Sequence, residues 1–445
     1  DDTDPRNAYG PYFQRQRVEI YHTYAKSLVE RGLAYPCFCT EEELDKVRAK
    51  QEEDKVLTGY YGEYATCRNL SYEEIEANIK AGKPYVLRLR SQGSPDKEIT
   101  FVDAIKGEIK LPENIHDIVL LKKDGIPTYH FAHAIDDHLM RTTTVVRGGE
   151  WLASAPIHYE LFHLLGFKMP AYAHTAHLMK FDEETGGKRK LSKRKDPELS
   201  LDYYRKDGYH PYTMKVYLLT LLNSNFEEWH EKFPDKDINE FPFSVEKMNQ
   251  SGALFDKDKL HNICKNELSK LSEEELYDFL YDWAKENEPE NVEKWFGDRE
   301  KMLQILRLYM GVGAKRRRKD LMYAKQIFEL ISYFFDGESA EEMDEFKLDE
   351  DMVSKILKSY LAKYDHNDDN SVWFNKLKEI ADEHGFASDM KAYKANPENF
   401  KGNVSDIAEA VRIAVTGRAN TPDLWTIVHI MGEEQMTERI KKHIK

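Results

Sequence analysis

Up to about residue 230 the apolar positions change period repeatedly, with short runs at a spacing of two among longer runs at three and four. Thr40 with Glu43, and Ser71 with Glu74, set a hydroxyl three residues ahead of a carboxylate, the reciprocal cap that opens a helix. Residues 84–90 alternate apolar and polar side chains and predict a strand that Pro84 can only begin. β-rich runs at 117–121, 128–132 and 143–147 predict further strands, and a helix over about 155–165 follows the last of them. This order of elements predicts α/β layers with parallel pairing.

Beyond about residue 245 the pattern changes. Ser272 with Glu275 predicts another capped helix, and residues 321–335 carry the mixed three and four spacing of a buried one. Thr421 with Pro422 reads as an N-cap followed by proline at the first helical position. Strand signals fade, so the last 200 or so residues are predicted to be all-helical. No repeat with a period of 20 to 50 residues and no low-complexity tract is visible. No apolar run approaches the ~18 residues that cross a bilayer. A soluble chain without a membrane partner is expected.

The 445 residues allow roughly three domains at about 150 each. With 41% hydrophobic and 33% charged residues, a wholly disordered chain is excluded. Lys+Arg 65 against Asp+Glu 80 leaves a net charge of −15, which argues against a simple nucleic-acid coat protein. That sum hides cationic spots at 188–190, 193–195 and 315–319, although such a run is ordinarily a solvated loop. Four cysteines do not make a disulfide scaffold, so a reducing cytoplasm is the expected compartment. The chain begins Asp1-Asp2-Thr3-Asp4 without methionine, and its natural start is expected upstream.

The sharpest chemical signal is Gly186-Gly187-Lys188-Arg189-Lys190-Leu191-Ser192-Lys193-Arg194-Lys195. Glycines make the loop pliable, and clustered cations with a hydroxyl suit a polyphosphate. Adenylate formation needs such a loop, because charge builds on the departing pyrophosphate. Lys190-Leu191-Ser192-Lys193-Arg194 resembles the KMSKS signature of class I aminoacyl-tRNA synthetases, in the form used by glutamyl-tRNA synthetases. Residues 124–132, 136–140 and 146–152 resemble that family's glutamate-pocket segments. Residues 1–4, 10–17, 414–417 and 422–424 also match it, so the resemblance spans nearly the whole chain.

The resemblance implies a class I Rossmann-like catalytic domain, an α+β connecting insertion and all-α C-terminal domains. It places the catalytic domain at 1–35 and 114–195, the insertion at 36–113 and a stem-contact region at 196–264. Helical anticodon-binding domains follow at 265–350 and 351–445. It implies that glutamate and ATP with Mg²⁺ form glutamyl-adenylate, and that the 3′ end of tRNA(Glu) then takes the glutamyl group. Charging of tRNA(Gln) as well stays open, as does a non-catalytic tRNA-binding paralogue. The expected form is a cytoplasmic monomer.

Carried over by position, the resemblance implies that Lys193 stabilises the ATP phosphates while Lys190, Ser192 and Arg194 shape the loop, and that Leu178 meets adenine through its main chain. It likewise implies that Arg147 holds the substrate's side-chain carboxylate, which suits a guanidinium fork and selects acid over amide. By the same resemblance Tyr129, His133 and Glu150 would complete that pocket, and Asp1 would meet the substrate ammonium. Position 133 is usually asparagine in the family, Asp1 stands for a glutamate, and Gly149 for a glutamate of Arg-Gly-Glu-Glu-Trp. The HIGH-type signature has no counterpart in these 445 residues, and some 30 residues between the Asp-Thr-Asp turn and Gly10-Pro11-Tyr12 are absent. These segments are expected to be missing rather than deleted. Cys37, Cys39 and Cys67 fall where some relatives bind structural zinc, which wants a fourth ligand; Glu63 or Tyr64 could serve. A reduced, metal-free cluster is the alternative.

Overall fold

The structure, a computed structural model, describes residues 8–182, 184–335 and 343–445. Asp1 lies outside the described residues. Two compact units form, one from Asp1–Lys190 with Thr220–Phe255, the other from Leu191–Leu219 with Asp256–Lys445. No described helix is long and apolar enough to cross a membrane.

The first unit carries helices α1 (Val18–Glu30), α2 (Glu41–Glu53), α3 (Tyr72–Lys80), α4 (Tyr129–Leu139) and α5 (Ala155–Leu165). Its strands are β1 (Ala34–Cys37), β2 (Val86–Leu89), β3 (Glu98–Asp103), β4 (Gly107–Pro112) and β5 (Val119–Leu121), then β6 (Thr144–Gly148), β7 (Ala171–Thr175), β8 (Leu178–Phe181), β9 (Lys188–Lys190) and β10 (Ala253–Leu254). Helices α2 and α3 begin as read: Thr40 and Ser71 accept from the Glu43 and Glu74 amides, and both carboxylates reach back to the cap amides. The parallel pairing holds in part. β6 and β7 run parallel over five residue pairs, with α5 as their crossover, and β3 meets β7 in parallel at Asp103 and Tyr172. β3–β4 and the β1–β2–β5 sheet are antiparallel, so the sheets are mixed.

One predicted strand is a helix. Thr128 is extended and bonds β5, its amide to Leu120 O and its hydroxyl to Val119 O. From Tyr129 the chain turns into α4, which buries Phe131, Ala132, Ala134 and Ile135. Those positions carry the helical period only when the window extends past Ala132. They join Tyr21, Leu28, Leu89, Leu120, Leu161 and Phe162 in a core shared by α1, α4, α5 and the antiparallel sheet. Full burial of each large side chain contributes about 1.5–3 kcal/mol, which anchors the elements that carry the site described below.

The second unit is helical among its described residues, over one continuous apolar core from Leu268 to Ile440. Ser272 and Glu275 form their predicted capping box at the start of the helix Glu273–Asn287. Two predictions shift. The helix expected over 321–335 starts at Ala324, after an extended Tyr323, and tightens into a 3₁₀ turn at Ser332–Phe334. The helix expected at Thr421-Pro422 starts at Leu424, because the Asp423 carboxylate accepts from the Thr426 amide and caps it.

Candidate active site

Arg147 ends β6, and the chain then turns through a 3₁₀ segment, Gly149–Ser154, into α5. Its half-buried guanidinium donates from Nε to His174 Nε2 at 3.0 Å, from Nη1 to His158 Nδ1 at 3.1 Å, and from Nη2 to Trp151 O at 3.4 Å. It also lies over the Tyr172 ring, 4.7 Å from the centroid. An arginine has five N–H donors and no acceptor. Two of them, on Nη1 and Nη2, therefore have no acceptor among the described residues. That is the edge a carboxylate takes in two-point fashion.

Because arginine only donates, each imidazole nitrogen facing it carries no proton. His174 accepts at Nε2, so its proton sits on Nδ1 and goes to Asp103 Oδ2 at 2.6 Å. His158 accepts at Nδ1 and donates from Nε2 to His130 Nδ1 at 2.9 Å. Burial, aided by His133 and Arg147, drives the His158 pKa down to about 2. Burial also lowers His174 and His130. Asp103 is held below the usual carboxylate range: its burial works the other way, but the His174 bond and the Lys106, Ile105 and His174 amides outweigh it. Sequence reasoning missed His158, His174, His130, Tyr172 and Asp103; a buried histidine on an apolar face gives no local signal that it will meet an arginine.

The other predicted pocket residues gather here in different ways. Tyr129 packs on Trp151 and stacks on His133, with ring centroids 4.5 and 5.6 Å away, and its hydroxyl has no partner among the described residues. His133 accepts from the Tyr172 hydroxyl at Nε2, 2.7 Å away, and its Nδ1 lies 2.8 Å from Asp137 Oδ2. Tyr172 and Asp137 thus flank both of its ring nitrogens. Glu150 is exposed, with His177 Nδ1 at 3.4 Å and Lys190 Nζ at 3.8 Å, and makes no ion pair with Arg147 among the described residues.

Leu178 and Lys190 sit on a β8–β9 hairpin, Lys190 opposite Met179, and β10 pairs in parallel with β8 at Leu178. In the second unit, Leu191–Lys195 forms a turn closed by the Ser192 amide on Asp196 Oδ2 at 2.8 Å and the Lys195 amide on Ser192 Oγ at 3.3 Å. Lys193 and Arg194 are exposed, and Lys193 lines a cavity of about 450 Å³ with Asp196, Ser200 and Asp202.

The Cys37, Cys39 and Cys67 sulfurs lie within 4.8 Å of one another. The Tyr60 hydroxyl stands 3.4 and 3.3 Å from Cys37 and Cys39 Sγ. Three soft sulfurs and a phenol oxygen suit a tetrahedral ion. Neither expected fourth ligand joins them: Tyr64 donates to Asp54 Oδ2, and Glu63 is outside the group.

The basic run 315–319 follows the helix Arg299–Met310, closed by Gly311 in the left-handed region. A side chain at Gly311 would sit 3.0 Å from the Arg318 amide. The Arg318 amide donates to Met310 O at 2.9 Å, so the run folds back on that helix's C-terminus. Arg316 and Arg318 line a cavity of about 640 Å³ with Arg307, Trp425 and His429.

A mixed α/β unit with an arginine whose free edge suits a carboxylate and a lysine-rich hairpin, followed by a helical unit, fits one class of ligase. Residues 2–262 match the family described as tRNA synthetases class I (E and Q), catalytic domain, and residues 275–444 an anticodon binding domain. The chain belongs to the class I tRNA synthetase family. It is 53% identical over 436 residues to a glutamate–tRNA ligase of Acetivibrio thermocellus, covering 98% of this chain and 79% of that protein. It is 46% identical over 444 residues to one of Clostridium perfringens, covering 99% and 80%. A crystal structure of a glutamate tRNA ligase from Elizabethkingia meningosepticum in complex with its amino acid matches with a TM-score of 0.74 at 26% identity, over 99% of this chain and 85% of that one.

Proposed function

We propose that this chain works as a glutamate–tRNA ligase. An oxygen of the α-carboxylate of L-glutamate attacks the α-phosphorus of Mg-ATP, the bond to the bridging oxygen breaks, and pyrophosphate leaves. A hydroxyl of the terminal ribose of tRNA(Glu) then attacks the glutamyl-adenylate carbonyl, and AMP leaves. Arg147 carries this reading: a fixed guanidinium with two free N–H groups pairs with the side-chain carboxylate and offers an amide nitrogen only repulsion. Tyr129 adds a hydroxyl donor, and His133 and Glu150 frame the pocket. Asp1 is proposed to meet the substrate ammonium. Leu178 serves adenine through its main chain. Lys193 stabilises the leaving pyrophosphate, with Lys190, Ser192 and Arg194 shaping its loop.

In this reading 1–35 with 114–195 is the catalytic domain, 36–113 the insertion, 196–264 the stem-contact region, and 265–350 and 351–445 bind the anticodon. The cavity around Arg316 and Trp425 supports an RNA-facing role for the basic turn, since bases stack on aromatic rings beside cations. Cys37, Cys39 and Cys67, with the Tyr60 oxygen, would hold a zinc ion that pins β1 to the turn at Cys67. The purified protein should then carry about one zinc per chain, and chelation should lower its unfolding midpoint; a zinc-free protein with an unchanged midpoint counts against it.

The deciding experiment is Arg147→Gln. Removing one partner of a desolvated charge pair costs about 2–5 kcal/mol, so the KM for glutamate should rise by about 30-fold or more while that for ATP stays near the parent value. A glutamate KM within about twofold of the parent would show that another cation reads the substrate.

A further inference from the structure

A half-buried arginine is ordinarily held by a carboxylate, yet every group that holds Arg147 is uncharged: His174 Nε2, His158 Nδ1 and the Trp151 carbonyl. Asp103, the nearest acid in this network, stands behind His174 and receives that imidazole's other proton. Asp137 lies beside His133, 2.8 Å from its Nδ1, and not on the guanidinium.

We infer that His158 and His174 are positioning residues that hold Arg147 through neutral acceptors alone, so that its geometry is fixed while its positive charge stays available to a ligand carboxylate. The inference rests on the reading of Arg147 as the contact to the glutamate side chain. A carboxylate in place of either imidazole would fix the guanidinium equally well, but it would satisfy the charge and compete with the substrate. An imidazole in its neutral form separates the two tasks. Its second nitrogen passes the orientation on, from His174 to Asp103 and from His158 to His130, so neither ring can turn without breaking a bond at its far side.

The surroundings keep both rings neutral. His158 on α5 meets Tyr129, His130 and His133 from α4, Arg147 from β6 and Tyr172 from β7. His174 on β7 meets Phe101 and Asp103 from β3 and Arg147 from β6, with Tyr172 beside it and the Lys106 charge nearby. Asp103 alone among these favours a proton on His174, and burial outweighs it.

The isosteric pair His158→Asn and His158→Asp tests the inference in the full chain, because both side chains place an atom where Nδ1 stands and leave the same gap behind it. They differ only in charge. Titration calorimetry with L-glutamate should give the Asp variant an affinity at least about tenfold below the Asn variant, and L-glutamine should not separate the two. A purely structural role for His158 predicts equal glutamate affinities, and that result overturns the inference. Arg147→Gln in the same assay keeps the two claims apart. If it leaves glutamate binding intact, the reading of Arg147 fails and the inference with it. If it abolishes binding while Asn and Asp are equal, only the inference fails. Should neither His158 variant fold, imidazole nitrogen resonances of the unaltered protein decide. His158 protonated on Nε2 and His174 on Nδ1, without titration between about pH 5.5 and 8, support the inference; a normal titration of either near about 6.5 overturns it.

Discussion

Arg147 and the arginines at 316–318 handle the same positive charge in opposite ways. Arg147 is half-buried, and three of its donors are fixed by uncharged acceptors on β7, on α5 and in the turn between β6 and α5. Arg318 pairs directly with Asp320, Nη2 to Oδ2 at 2.6 Å, while Arg316 and Arg317 are exposed in a turn and make no ion pair among the described residues. The first arrangement supplies geometry, which suits a single planar carboxylate; the second supplies charge without geometry, which suits phosphates that can shift along a chain. Position in the fold, more than residue type, separates a specificity element from an electrostatic one.

Lys193 challenges that division most strongly, because it is exposed and yet carries the largest expected effect. In the proposed function its charge meets the departing pyrophosphate, so Lys193→Ala should slow adenylate formation by about 10²- to 10³-fold, by analogy with a lost transition-state donor, and leave tRNA affinity nearly unchanged. An unaltered pyrophosphate-exchange rate would remove Lys193 from the mechanism. Lysine replacement then sharpens the comparison. Arg147→Lys keeps the charge and loses the fork, and should weaken glutamate by about tenfold or more, whereas lysine at 316, 317 and 318 together should change the KM for tRNA by less than about threefold. Equal tolerance at both places would mean that geometry matters at neither.

The neutral network also gives the first unit a pH signature. The folded pKa of His158 lies far below its ordinary value of about 6.5, so the unfolded chain binds the extra proton. Its contribution to stability is complete above about pH 6.5 and is lost as pH falls, at about 1.4 kcal/mol per unit, or roughly 2 kcal/mol by pH 5. Denaturant unfolding followed from pH 7 to 5 should show that loss, and His158→Phe should flatten it; an unchanged slope in the variant would show that other groups set the acid sensitivity. The smallest expected effect belongs to the basic turn. Glutamine at Arg316, Arg317 and Arg318 should raise the KM for tRNA and lower its salt slope by roughly one unit per lost phosphate contact. A parent-like slope would make the turn a solvated one.

Much of the architecture was legible because its causes are local. The caps at Thr40, Ser71 and Ser272 need only a hydroxyl and a carboxylate three residues apart, and all three formed. The KMSKS-like loop was legible as a run of residues, and the hairpin before it turns at Gly186 in the left-handed region, with the Asp182 carboxylate accepting from the Glu184 and Thr185 amides. Errors arose where a neighbour in space outweighed the local signal. Thr128 looked like strand because it does bond β5, while α4 begins one residue later to bury Phe131 and Ile135. Asp423 displaced Thr421 as a cap because its carboxylate reaches the Thr426 amide.

The sequence by itself determined the capped helix starts after Thr40, Ser71 and Ser272, the change from mixed to helical halves, and the three converging cysteines' membership of one segment, while its family resemblance singled out Arg147. Tertiary structure alone decided what holds that arginine. Asp103 and His174 are 71 residues apart in sequence, and His130 and His158 are 28 apart, yet each pair shares a hydrogen bond. No periodicity encodes such a pairing, because it depends on β3, β6 and β7 lying side by side with α4 and α5 packed together. Whether an imidazole there is neutral depends in turn on how completely those elements exclude water, and that is a property of the assembled core.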